Sequence, residues 1–97
     1  MIRHCVTLTF SPGATAEQIA AVEHALSALP EAIEAIRGYS FGRDLGLGEG
    51  NASFVVVGDF DDVDGYLAYR DHPAHQKVIV ENIRPILSGR SAVQYEL

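Results

Sequence analysis

Nine residues near the start of the chain, Ile2 to Phe10, alternate in polarity, and that period of two fixes the first element. Ile2, His4, Val6, Leu8 and Phe10 fall on one face, and Arg3, Cys5, Thr7 and Thr9 on the other. A strand with one apolar face needs partner strands and a covering layer. The remainder of the 97 residues supplies both. Ser11-Pro12-Gly13 ends the strand. Thr15 and Gln18 stand at capping-box spacing, and Ile19, Val22, Leu26 and Leu29 then recur at helical intervals. Pro30 interrupts this helix, and residues 31–36 read as a further turn. Residues 39–45 form a second strand, with Arg37 and Gly38 at its start. Gly46-Leu47-Gly48-Glu49-Gly50 is a loop, placed at the mouth of any pocket, and it leads to a third strand over residues 52–60. Asp59, Asp61, Asp62 and Asp64 crowd the start of a helix carrying Tyr66, Leu67 and Tyr69. His72-Pro73 opens another helix that runs to about Ile83 and ends near Pro85. Residues 91–97 are the closing strand.

The order β-α-β-β-α-α-β over a single domain, residues 1–97, predicts an α+β, ferredoxin-like protomer with a four-stranded antiparallel sheet. Its helices cover one sheet face only. The other is expected to carry Tyr39, Phe41, Val55 and Val57, an apolar patch too large to leave in water. A two-fold homodimer, its sheets closed on each other as a dimeric α/β barrel, is the economical arrangement.

Composition narrows the partners. The formal charge is −6 and the basic residues are scattered singly, so no patch suits a nucleic acid backbone. The longest strongly apolar run, residues 54–57, is far too short to span a bilayer. The strand pattern begins at once and leaves no room for a signal peptide, and the lone Cys5 fits a reducing compartment; the expected location is cytoplasmic. The aspartates from Asp59 to Asp64 lack the glycine and terminal glutamate of a calcium loop and read as helix-start carboxylates. The glycine-rich loop lacks the Lys and Ser/Thr of a phosphate loop.

Tyr69-Arg70-Asp71-His72-Pro73-Ala74-His75 places a phenol and two imidazoles within seven residues at a helix start. His72 suits the N-cap and Pro73 the first helical position. His75 then lies in the first turn, where the helix dipole favours neutral imidazole. A neutral histidine beside a tyrosine is a candidate general base with a proton-donating partner. A capping or packing histidine is the alternative reading. Strand parity points His4 with Val6 and Leu8 into the space between sheet and helices, where it either lines a pocket or sits as a satisfied core residue. His72 and His75 have no obvious third protein ligand at metal spacing, so no metal is expected there. No cofactor is expected either.

The opening Ile2–Phe10 stretch, Gly42-Arg43-Asp44, His72-Pro73-Ala74-His75 and Arg84-Pro85 together resemble the stress-responsive dimeric α/β-barrel (Dabb) family over essentially the whole chain. The resemblance implies a ferredoxin-like protomer that dimerises into a barrel. One branch of that family, the polyketide cyclases of the olivetolic acid type, closes linear poly-β-ketones by aldol condensation. The similarity implies His75 as catalytic base, Tyr69 as hydrogen-bond donor to the enolate, and His4 as a pocket residue. Val6, Leu8, His72 and Gln94 complete the expected substrate-binding set. The branch's supporting aspartate falls near Gln94, where an amide stands instead of a carboxylate. The leading expectation is a cofactor-free enolising or aldol-type enzyme acting on a small hydrophobic or polyketide-like ligand. A non-catalytic stress-associated or ligand-binding dimer and a cofactor-independent monooxygenase are the alternatives.

Overall fold

In the computed structural model, which describes residues 1–97, the expected order is present with displaced boundaries. Strand β1 (Ile2–Phe10) leads to helices α1 (Ala16–Ser27) and α2 (Leu29–Ala32), then strands β2 (Gly38–Arg43) and β3 (Phe54–Phe60). Helices α3 (Val63–Asp71) and α4 (Pro73–Val78) follow, and strand β4 (Leu87–Glu96) closes the chain. The sheet order is β2-β3-β1-β4, antiparallel at every pairing, with helices on one face: a ferredoxin-like fold. No helix is long and apolar enough to cross a membrane.

Local chemistry accounts for the helix starts. Thr15 accepts from the Gln18 amide at 3.1 Å while Gln18 accepts from the Thr15 amide at 2.9 Å, so both sides of the capping box are made. Asp62 caps α3 by accepting from the Gly65 amide at 2.8 Å. Asp59 and Asp61 are instead engaged by Arg3 and Arg37. Pro30 starts α2 rather than merely ending α1, because a ring that lacks an N–H fits a first helical turn. The expected single helix from His72 to Ile83 divides. After α4, residues 79–83 form a π-helical turn in which the Arg84 amide donates to the Ile79 carbonyl, and Arg84–Ile86 tighten into a 3-10 turn.

The core lies between the helices and the sheet face bearing Val6, Leu8, Phe54, Val56 and Phe60, with Val22, Leu26, Ile33 and Tyr69 buried against it. The register corrects one expectation. Tyr39 sits opposite Gly58 and Phe41 opposite Val56, so both face the helices, not the open side. Phe41 stacks on Phe54 with ring centroids 6.2 Å apart. Gly58 makes room: a Cβ there would lie 3.1 Å from the Phe60 ring and 3.4 Å from Tyr39. Val55 and Val57 do lie on the open face, with Cys5, Thr7, Val93, Tyr95 and the bidentate Arg3–Asp59 pair at 2.8 and 2.9 Å. β4 begins four residues before the expected Ser91, which brings Arg90 into the sheet opposite Leu8.

Candidate functional site

A cavity of about 410 Å³ opens between the sheet and the helices, bounded by β1, β3, β4, α1, α3, α4 and the π turn. Its geometry depends on the break between α3 and α4. Proline disfavours the helical region for the residue before it, and His72 is extended, with φ −64° and ψ 134°. The His72 Nδ1 then accepts from the Ala74 amide at 3.0 Å and starts the new helix. In an unbroken helix, residues six apart would lie about 9 Å apart along the axis and roughly 120° around it. Here Tyr69 and His75 stack face to face, with ring centroids 4.1 Å apart and planes 30° apart.

His75 is held in one tautomer. Its Nδ1 lies 3.0 Å from the Arg70 carbonyl, which only accepts, so the proton is assigned to Nδ1 and Nε2 keeps its lone pair. The Gln76 side-chain amide donates to the same carbonyl at 2.6 Å. Burial first, with the nearby charge of Arg90 and then His72 adding to it, holds the His75 pKa below the usual imidazole value against the opposing pull of the Arg70 carbonyl. His75 is therefore neutral at pH 7, with Nε2 available as an acceptor.

His4 carries the opposite polarity. It is 5 % exposed, with its ring centroid 4.9 Å from that of Tyr66 and 6.2 Å from that of Tyr69. Gln94, its partner across the β1–β4 ladder, donates through Nε2 to His4 Nδ1 at 2.8 Å. With Nδ1 accepting, the neutral ring carries its proton on Nε2. Burial, then Arg90 and His75, hold its pKa down at about 4. Neither Nε2 has a protein partner, and neither is sealed off, since every fully buried side-chain nitrogen or oxygen has one; both rings line the cavity. The cavity thus contains one imidazole acceptor and one imidazole donor.

Tyr69 is 2 % exposed, and its hydroxyl shares a 2.8 Å hydrogen bond with that of Tyr39. Burial raises both phenol pKa values, that of Tyr69 to about 12, so both stay protonated.

Of the residues expected at the site, His4, Val6, Leu8, Tyr69 and His75 line this cavity. His72 caps α4 and is not part of the wall. Gln94 supports His4, not His75, because β1–β4 pairing sets it opposite His4. The loop from Gly46 to Gly50 does not form the mouth either; its Leu47 lines a separate hollow of about 390 Å³ with Thr7, Phe54 and Val55. Sequence reasoning missed Tyr66, Ile79, Ile83, Arg84 and Arg90, all in the wall. Arg90 was within reach: one more two-residue step back along β4 places it on the same face as Gln94.

A family model for the stress responsive A/B barrel domain matches residues 2–97. The chain belongs to the Dabb family. Among solved structures, it is similar to a dimeric ferredoxin-like protein of unknown function from Thermobifida fusca YX, at 45% identity and a TM-score of 0.91, over 99% of this chain and 90% of that one. A dimeric protein of unknown function from Bacteroides fragilis NCTC 9343 matches at 25% identity and a TM-score of 0.86, over 99% and 95%. The hydroxynitrile lyase of Passiflora edulis shares the fold at 17% identity and a TM-score of 0.86, over 99% and 92%. A search of the curated proteins finds no match.

Proposed function

We propose that this Dabb protein is a cofactor-free enzyme that removes an acidic proton next to a carbonyl in a small, largely apolar substrate. The aldol-type cyclisation of a polyketide-like chain is its most concrete form. The observation that carries the reading is the pair of opposed imidazoles. His75 Nε2 accepts the proton, and the Arg70 carbonyl holds the resulting imidazolium through Nδ1–H. His4 Nε2–H donates to the enolate oxygen as charge builds there, fixed in direction by Gln94. Tyr69, its hydroxyl held by Tyr39, acts on the base through the stacked ring and is a positioning residue. The depressed imidazole pKa values keep both rings neutral, as the mechanism needs, at pH 7.

The working unit in this proposal is a homodimer. Support comes from the dimeric Thermobifida relative and from the open sheet face, where Val55, Val93 and Tyr95 are 37, 57 and 45 % exposed. Closing two such faces buries on the order of 2,000 Å². A monodisperse monomer by light scattering at micromolar concentration contradicts the dimer. Cys5, unpaired on that face, is consistent with a cytoplasmic setting.

Exchange of a β-diketone's central protons for deuterium tests the chemistry. His75→Ala is expected to slow exchange by about 10²–10⁴-fold with folding intact. Equal rates in variant and wild type leave a binding protein as the better reading.

A further inference from the structure

The cationic side chains of this chain are unevenly committed. Of its six arginines, Arg3, Arg37, Arg43 and Arg70 are each paired with a carboxylate at 2.7–3.1 Å. Arg84 and Arg90 make no ion pair and no side-chain hydrogen bond, although acidic residues outnumber basic ones by 13 to 7. These two line the same cavity, and no Asp or Glu does.

Their placement follows from the backbone. Arg90 projects from β4 on the helix side, since it pairs with Leu8. It lines the cavity together with His4 and His75, and its charge helps to hold both imidazole pKa values down. Arg84 stands at the π-to-3-10 junction, just before β4 begins at Leu87. The wall they share also carries an apolar set, Val6, Leu8, Leu26, Val56, Ile79 and Ile83. A hollow with a greasy wall, two unpaired guanidiniums and no carboxylate matches an amphipathic anion. Guanidinium is the side chain best shaped for a carboxylate, and charge-assisted hydrogen bonds exceed neutral ones in strength.

We propose that the cavity binds an apolar carboxylic acid, whose carboxylate is taken by Arg84 and Arg90 while its body lies against the apolar wall. This rests on the cavity being the ligand site of the proposed function, and it narrows the substrate to carbonyl compounds that also carry an acid group. It does not depend on His75 acting as a base.

Calorimetric titration of the full chain with 4-phenylbutyrate and its neutral analogue 4-phenylbutanamide tests the proposal. Wild type is expected to bind the acid roughly tenfold or more tightly than the amide at low ionic strength. That preference should shrink as salt is raised. Arg84→Gln with Arg90→Gln should abolish the preference, so that acid and amide bind with the same affinity. Each single variant should lose part of the preference, which serves if the double variant folds poorly. His75→Ala should retain the preference, so acid binding together with equal proton-exchange rates in His75→Ala and wild type counts only against the enzymatic reading. Equal binding of acid and amide by wild type overturns the proposal. So does an acid preference that survives the double replacement, or failure of both probes to bind at millimolar concentration.

Discussion

His4 ties the candidate site to folding stability, and the size of the link follows from its burial. In the unfolded chain its imidazole titrates near 6.5, and in the folded protein burial, Arg90 and His75 hold the pKa at about 4. Between these values the unfolded chain binds more protons than the folded one, so stability rises with pH and falls as the solution is acidified. The contribution is intact above about pH 6.5, declines at 1.36 kcal/mol per pH unit below it, and levels off under pH 4. From pH 7 to pH 5 the loss attributable to His4 is therefore about 2 kcal/mol. The depressed carboxylates of Asp59, Glu23 and Asp71 also favour the folded state at neutral pH, but their stability is lost below about pH 4, outside this window. Urea denaturation at pH 7, 6 and 5, at one protein concentration, measures the slope. His4→Gln removes the titration, so wild type should converge on the variant, or fall below it, by about 2 kcal/mol on going to pH 5. His75, shifted in the same direction, stays in both proteins and cancels in the difference. Parallel pH profiles would refute the reasoning, as would an NMR titration placing His4 near 6.5.

Gln94→Asp should raise the pKa of His4, which it faces at 2.8 Å, far more than that of His75; NMR titration of both imidazoles distinguishes the two. A rise confined to His75 would mean that Gln94 supports the other ring. Tyr39→Phe and Tyr69→Phe each strand a buried hydroxyl and should each cost about 1–3 kcal/mol in urea denaturation. The double variant should cost less than the two singles together, since no hydroxyl is then left unpaired.

What the sequence reveals about this protein divides by range. The β1 alternation, the Thr15–Gln18 capping box and the His72-Pro73 helix start are local, and each stands where the pattern puts it. Parity also aimed His4 correctly at the space holding Tyr69 and His75, because one strand's period decides which residues share a face. Parity does not say which face of β2 is covered. That depends on register with β3, where Tyr39 meets Gly58 and gains the room to reach Tyr69. The same limit hid the partner of His4. Gln94 is 90 residues away and becomes its neighbour only through β1–β4 pairing, whereas the family resemblance sets it at the position that supports the catalytic histidine, His75. The consequence is chemical as well as topological. A histidine in a local motif announces itself as a base, but whether a second ring serves as donor depends on which of its nitrogens is already occupied. For His4 that choice is made by a residue at the far end of the chain. The π turn at residues 79–83 belongs to the same class: Ile79, Ile83 and Arg84 line the cavity from it, and no periodicity in residues 73–86 encodes it. Helix and strand patterns therefore bring the catalytic candidates to one place, while sheet register decides what each of them can do there.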